Sequence, residues 1–322
     1  MRSDGAQDSW IASLRPPVNR DYDWFRPHAV LLEEELDATR QFTRSLVVFL
    51  VNRECPWKCL ECDLWKFTTL ETVPAGAIPR QIEAALTQAP PGGPCPQIKL
   101  YNSGSFFDPR AIPPGDDPAI AGLVDSFARV IVESHPAFVG ERCWRFRERL
   151  RPRLEVAMGL ETVHPDILRR LNKRMTLDDF ARAAAGLRDH DVDVRAFLLL
   201  QPPYMAEEEV LEWTRRGVGF AFDNGVSVAS LIPTRLGNGA LEKLATEGHF
   251  APPSLKTIEQ SFDAALAVAR GRVFLDLWDL EKFSNCPWCL EPRRQRLRDM
   301  NRLQSVLPPI HCNRCDHDAA TL

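Results

Sequence analysis

The sequence lacks a long hydrophobic run and a hydrophobic segment near its start. No apolar stretch reaches the roughly 20 residues that a membrane-spanning helix needs. The first eight residues, MRSDGAQD, are polar and carry no apolar core of a signal peptide. We therefore expect a cytoplasmic protein with no membrane partner. With 44% hydrophobic and 26% charged residues in 322, the composition fits one large globular α/β domain with appendages.

An excess of basic residues is also missing. The net charge of −4 gives no general electrostatic attraction to nucleic acid. Two local stretches are rich in arginine, six residues within 142–153 and five within 293–302. Each fits either a solvated helix face or a patch that contacts RNA.

Cysteine, in contrast, is present nine times. Because the cytoplasm keeps thiols reduced, we interpret these cysteines as metal ligands rather than disulfides. The segment Cys55-Pro-Trp-Lys-Cys59-Leu-Glu-Cys62 follows the apolar run Leu46–Val51. Such a triplet after a strand can bind an iron–sulfur cluster through its thiolates and leave one of four irons open. Zinc is less suited, since no further Cys or His follows within thirty residues.

Short apolar runs alternate with amphipathic stretches along most of the chain. This alternation predicts a parallel sheet covered by helices, which we expect to form a partial (β/α)6 TIM-like barrel. We divide the chain into an N-terminal extension (1–45), a core (46–272) and a C-terminal Cys-rich module (273–322), with a short helix near Val30–Ala38 and a further strand near Val273–Leu280. The predicted core strands are Leu46–Val51, Gln97–Tyr101, Arg129–Glu133, Leu154–Leu160, Val192–Leu200 and Val226–Ile232.

Polar and small residues follow several of these strands, where the chemistry of such barrels lies. The second core strand ends in the turn Asn102-Ser103-Gly104-Ser105, and the fourth ends in Gly159-Leu-Glu161. Glu155 stands among apolar residues, so its burial requires a ligand amine, an Arg or a hydroxyl pair. Arg235, after the sixth strand, either binds an anionic or carbonyl group of a substrate or forms a salt bridge at the rim.

Two late cysteine pairs form a second pattern. Cys286-Pro-Trp-Cys289 and Cys312-Asn-Arg-Cys315 together offer the four thiolates of a metal site. The spacing favours structural zinc, and a second iron–sulfur cluster is the alternative. Cys95 and Cys143 belong to no pairing pattern, and we expect no metal-binding role for them.

These motifs resemble the radical S-adenosylmethionine (SAM) superfamily, and most closely its elongator-like group with the archaeosine-synthesis proteins. One position departs from the superfamily pattern, because the residue before the third cysteine is usually apolar and is Glu61 here. We expect Trp57 and Trp65 to supply the missing apolar cover. The residues that carry the resemblance are the Cys55–Cys62 triplet, Asn102–Arg110, Val132–Pro136, Gly159–Glu161, Ser230–Thr234 and the two late cysteine pairs.

The resemblance implies a 4Fe–4S cluster on Cys55, Cys59 and Cys62, with SAM on the fourth iron. It also implies reductive cleavage of SAM to a 5′-deoxyadenosyl radical that abstracts hydrogen from a substrate, fed by an electron donor of the flavodoxin or ferredoxin type. A modified tRNA base, a small molecule and a peptide are the candidate substrates, and a non-catalytic metal-binding scaffold that contacts RNA or protein is the alternative function. The residues expected to contact SAM are Asn102, Ser103, Gly104, Ser105, Gly159 and Glu161.

Overall fold

One eight-stranded sheet organises the structure. The computed structural model describes residues 4–88 and 95–315. The strands follow chain order across the sheet, with the first antiparallel to the second and all later pairs parallel. They are β1 (Ala29–Leu36), β2 (Phe42–Phe49), β3 (Gln97–Tyr101), β4 (Arg129–Glu133), β5 (Arg153–Glu161), β6 (Asp193–Leu200), β7 (Val228–Pro233) and β8 (Arg272–Leu275).

Helices connect the parallel strands and pack on one face of the sheet. Alternate strand residues such as Val156 and Met158 join the apolar core on this face, and their neighbours point to the inside of the curled sheet. Within the described residues, no helix is both long and apolar enough to cross a bilayer. The helices are α1 (Asp4–Leu14), α2 (Ala77–Gln88), α3 (Asp117–Leu123), α4 (Glu141–Arg149), α5 (Pro165–Arg170), α6 (Leu177–Asp189), α7 (Val210–Asp223), α8 (Ala240–Thr246), α9 (Leu255–Val268) and α10 (Pro287–Leu303).

The predicted partial barrel is confirmed, with one parallel strand more than the six core runs. The additional strand, β8, lies where the sequence indicated a further strand, and it pairs with β7. Strands from both the N-terminal extension and the C-terminal segment therefore join the sheet. The division of the chain at residues 45 and 272 stays a prediction.

The helix expected near Val30–Ala38 is wrong, because this segment forms β1. The run Glu33–Glu35 resembles an exposed helix face in sequence, yet the chain turns back at Asp37, whose carboxylate accepts hydrogen bonds from the backbone of Thr39 and Gln41. The turn aligns β1 with β2 over eight residue pairs. The two-residue strand period then turns Glu33 and Glu35 to the same side, where they meet cations.

Buried ion pairs fill the amino-terminal end of the barrel interior. Lys99 on β3 contacts Glu33 and Glu35 at 2.9 and 2.5 Å. Arg195 on β6 contacts Glu35 at 2.8 Å and Glu155 on β5 at 2.7 Å. Although burial acts to raise it, these cations hold the pKa of Glu35 well below its usual range.

These ion pairs form the floor of the barrel, and Glu155 is one of its members. Its carboxylate accepts hydrogen bonds from Arg195 and Arg129 near the start of β5. An arginine is one of the partners that the sequence required for it. Because Glu155 lies at the end of the strand opposite Glu161, it belongs to the floor and not to the rim where ligands bind.

Removing one cation from this floor should destabilise the protein strongly. We expect Arg195→Met to lower the free energy of unfolding by about 3–5 kcal/mol, because it leaves buried carboxylates without a partner. Urea unfolding followed by circular dichroism measures the change. The control is Arg145→Met, which removes an exposed pair with Glu141 on α4 and should cost less than about 0.5 kcal/mol. Equal losses in the two variants would contradict the prediction.

Candidate functional site

The loop that carries the first three cysteines leaves the carboxyl end of β2. Cys55, Cys59 and Cys62 are all half-buried free thiols. Burial raises the pKa of Cys59 well above its usual value, and the charges of Glu61, Cys62 and Cys55 add to the rise. Burial and Glu61 likewise raise the pKa of Cys62 to about 12. The three thiols therefore lie close enough to repel one another when ionised, which a bound cationic centre would relieve.

Neighbouring loops hold the backbone of this cysteine loop in place. The Asn238 side chain, after β7, donates to the carbonyls of Leu60 at 2.8 Å and Cys62 at 3.3 Å. Asn172, after α5, donates to the Lys58 carbonyl at 2.7 Å. These contacts hold the loop backbone on both sides of Cys59.

The turn after β3 packs directly on the cysteine loop. A Cβ at Gly104 would lie 3.5 Å from Cys55 Cβ, an ordinary van der Waals distance, so the two segments lie side by side. The backbone N–H of Asn102 donates to the Glu133 carboxylate at 3.1 Å, and Ser105 Oγ accepts from the backbone of His135 at 3.0 Å. Both side-chain polar atoms of Asn102 are buried without a hydrogen-bond partner. They are available to a polar ligand.

Gly159 and Glu161 lie at the end of β5, beside a cation that the sequence reasoning missed. A β-bulge between them turns Glu161 to φ 62°, and its carboxylate meets Lys173 Nζ at 2.5 Å. A Cβ at residue 159 would lie 2.0 Å from Glu161 Oε1 and 2.4 Å from Lys173 Nζ. Glycine therefore leaves room for the ion pair in this position, and a side chain at residue 159 would displace it.

Lys173 links this ion pair to the cysteine loop. Burial acts to lower its pKa, but the charges of Glu161, Cys59 and Glu61 raise it, so the ammonium stays charged. Its neighbours Asn172 and Arg174 both have positive φ, at 57°. This unusual backbone turns Lys173 back toward the rim. In the sequence, a basic residue between two turn positions gives little indication of a binding role. Its contact with Glu161 becomes apparent only in the folded structure.

Glu133, the last residue of β4, is a second group that the sequence reasoning did not assign to the site. It was noted only within the Val132–Pro136 motif. Burial raises the pKa of Glu133 to about 7, although the backbone N–H groups of Asn102 and Ser103 act to lower it. Its carboxylate holds the turn after β3 in place and faces the same rim as the thiols.

Trp57 and Trp65, the expected apolar cover for Glu61, each pack on another side chain. Trp57 stacks on His135 with ring centroids 4.1 Å apart, whereas the Trp65 ring lies under the guanidinium of Arg15 at 4.6 Å. One carboxylate oxygen of Glu61 is buried without a hydrogen-bond partner. Burial and the neighbouring Glu161 raise the pKa of Glu61 to about 8. A largely buried acid thus stands where the sequence pattern led us to expect an apolar residue.

Half-buried side chains surround the inside of the barrel at its carboxyl-terminal end. On β2, β3, β4 and β7 the inward residue nearest this end is half-buried, and on β6 both Phe197 and Leu199 are, while the inward residues nearer the floor are buried or ion-paired. The polar members lie on or next to β4 and β5, beside the cysteine loop. The apolar members lie on β2, β3, β6 and β7 and form one aromatic and aliphatic wall, namely Phe49, Tyr101, Phe197, Leu199 and Ile232.

Arg235 and the two arginine-rich stretches, the other candidates from the sequence, form ion pairs within the protein. Arg235 contacts Asp276 and the Trp278 carbonyl, each at 2.7 Å, which fits the salt-bridged rim residue. In each arginine-rich stretch, four or more side chains contact a carboxylate, as Arg142 does with Asp117 and Arg296 with Asp263. These contacts favour solvated helix faces over RNA-binding patches.

The four late cysteines come together as the sequence predicted. Their sulfur atoms all lie within 4.8 Å of one another, and among the described residues this is the set of His, Cys, Asp and Glu side chains whose geometry suits one metal ion. Cys143 is buried in the apolar core.

Comparison with known proteins agrees with the motifs. No family model matches the sequence. An uncharacterised protein of Methanocaldococcus jannaschii is 24% identical over 246 residues, covering 72% of this chain and 67% of that protein. The archaeosine synthase subunit beta of Methanosarcina acetivorans is 29% identical over 232 residues, covering 67% of this chain and 65% of the relative. The chain thus spans about two thirds of these curated relatives.

A solved structure shares the fold. The archaeal Elp3 of Methanocaldococcus infernus, without its residues 1–46, superposes with a TM-score of 0.52 at 15% identity, covering 68% of this chain and 58% of that one. At this identity the likeness establishes the fold alone. Together with the sequence relatives, it agrees with the predicted resemblance to elongator-like and archaeosine-synthesis proteins.

The anchoring of the cysteine loop can be tested without any bound group. We expect Asn238→Ala to speed alkylation of Cys59 and Cys62 by iodoacetamide about tenfold in metal-free protein, since losing these hydrogen bonds makes local opening easier by roughly 1.4 kcal/mol. Mass spectrometry of the labelled peptides gives the rates. Asn224→Ala, which removes a bond to Phe220 in α7, is the control and should leave them unchanged. Unchanged labelling in Asn238→Ala would show that the loop is held by other contacts.

Proposed function

We propose that the chain is a radical SAM enzyme whose cluster is held by Cys55, Cys59 and Cys62. One observation carries the proposal: a single loop at the rim of a partial barrel carries three half-buried thiols, with Cys55 beside a glycine turn and buried polar atoms of Asn102 and Glu61 without hydrogen-bond partners. When bound, a 4Fe–4S cluster supplies the electron that cleaves SAM to a 5′-deoxyadenosyl radical. An electron donor of the flavodoxin or ferredoxin type is then required.

The polar half of the rim suits the charges of SAM. The methionyl end of SAM carries an ammonium and a carboxylate. Glu161 and Lys173 offer the complementary pair, and Asn102 offers an amide with free donor and acceptor atoms. Ser103, Gly104 and Ser105 contribute a turn without bulky side chains beside Cys55. We assign the cofactor contacts to these residues and to Gly159, which leaves room for the ion pair.

The apolar half of the rim is the proposed substrate compartment. Tyr101 lies edge-on to both Phe49 and Phe197, with centroid distances of 6.1 and 6.5 Å. Such a wall suits a flat, uncharged ring better than a charged or flexible chain. Two sequence relatives are named archaeosine synthase subunit beta. We therefore propose a modified tRNA base as the substrate, ahead of a small molecule or a peptide.

Loss of one early thiolate should abolish both the cluster and SAM cleavage. Anaerobic reconstitution of the unaltered protein should give iron with absorbance near ~400 nm, and reductant should release 5′-deoxyadenosine and methionine. Cys55→Ala should lose both signals, because the cluster loses a ligand.

The control for this experiment is Cys95→Ala, a half-buried cysteine outside the site, which should keep both signals. Protein that binds zinc alone and never cleaves SAM would refute the enzyme and favour the metal-binding scaffold.

Shortening the aromatic wall should separate SAM cleavage from substrate turnover. We expect Phe197→Leu to keep reductant-driven SAM cleavage while weakening use of the base about tenfold or more, since stacking on an aromatic ring contributes about 1–3 kcal/mol per base. A deletion strain complemented with each variant, followed by profiling of tRNA nucleosides, measures the second effect. Phe220→Leu on the outer helix α7 is the control. Normal tRNA nucleosides in the deletion strain itself would rule out this substrate.

A further inference from the structure

The four late cysteines join the start of α10 to the segment that follows it. Cys286 precedes the helix and Cys289 lies in its first turn, while Cys312 and Cys315 come after the helix has ended. The sulfur atoms of Cys286 and Cys312 are 3.9 Å apart, and those of Cys289 and Cys315 are 3.6 Å apart. Each contact therefore bridges one cysteine of the first pair to one of the second.

We propose that this site holds a single zinc ion, and that the ion keeps α10 on the open edge of the sheet. A tetrahedral zinc with bonds of about 2.3 Å to sulfur places its ligands about 3.8 Å apart. The two measured separations, 3.9 and 3.6 Å, fit this value. An iron–sulfur cubane binds each thiolate to a different iron, so its ligands lie farther apart than those of one ion.

Groups around the four sulfurs suit a site of net negative charge. Four thiolates and one Zn²⁺ carry a charge of −2 in total. The guanidinium of Arg293 lies 3.9 Å from Cys315 Sγ and also contacts Glu259 on α9. The backbone N–H groups of Arg314 and Cys315 point to the sulfur of Cys312. Such outer contacts fix the orientation of metal ligands.

The other end of α10 covers the last strand of the sheet. Asn301 accepts from the backbone N–H of Leu275 at 2.8 Å and donates to its carbonyl at 2.9 Å. Gln304 does the same with Val273, at 2.7 and 2.8 Å. Two side-chain amides therefore replace a neighbouring strand along β8 and satisfy groups that an open edge would expose.

Side-chain contacts along the middle of α10 connect these two ends. Arg296 donates to the carbonyls of Leu307 at 2.7 Å and Pro308 at 2.9 Å, and it contacts Asp263 on α9 at 2.8 Å. These bonds lay the returning segment along the helix and bring the second cysteine pair back to the first. An ion bound by the four sulfurs joins the segment after α10 to the start of the helix. This link resists separation of α10 from β8.

Metal analysis and hydrogen exchange test both parts of the proposal. The purified protein should hold one zinc per chain. Cys286→Ser and Cys315→Ser should lose it, and amide exchange in the peptide spanning residues 272–276 should become at least tenfold faster, as the β8 edge opens more often. If a variant fails to fold, removal of zinc from the intact protein with a strong chelator gives the same comparison.

Two controls separate this site from the proposed cluster and from the edge contact. Cys55→Ala should lose iron but keep zinc and slow exchange at β8, whatever becomes of the enzyme proposal. Asn301→Ala with Gln304→Ala should keep zinc and lose the slow exchange. Iron at the late cysteines in Cys55→Ala protein, or zinc loss that leaves exchange at β8 unchanged, would overturn the inference.

Discussion

One buried set of ion pairs determines where the barrel can hold a ligand. Arg195 joins Glu35 of β1 to Glu155 of β5, and Lys99 ties β3 to the same strand β1. Because these side chains fill the amino-terminal half of the interior, the space that remains lies at the carboxyl ends of the strands. The cysteine loop, the glycine turn and the Glu161–Lys173 pair all lie at that end, as expected for α/β barrels.

The rim itself is divided by chemistry. Its polar half adjoins the thiols and offers acids, an ammonium and unpartnered amide atoms, whereas its other half is aromatic and aliphatic. A charged cofactor and a flat substrate would thus bind side by side with little competition.

The sequence predicted those parts that depend on local pattern. Strands β3 and β4 agree to the residue, because each is a short run rich in strand-forming residues that ends at a turn segment, Asn102–Ser105 after β3 and Ser134–Pro136 after β4. The segment β1 was mistaken for a helix, since its acidic run has meaning only opposite Lys99 and Arg195. Lys173 and Glu133 were missed for a similar reason: their partners lie on other strands or loops, and no spacing rule brings them together.

The number of residues in α10 is constrained by the contacts at its two ends. From Cys289 to Asn301 the helix advances 12 residues, or about 3.3 turns, and Gln304 follows about one turn later on the same side. Adding or deleting one residue between the sulfur ligands and the amides would rotate the two sets by about 100° relative to each other. We therefore expect an insertion just before Cys286 to be tolerated far better than one inside the helix, whose phase is set at both ends.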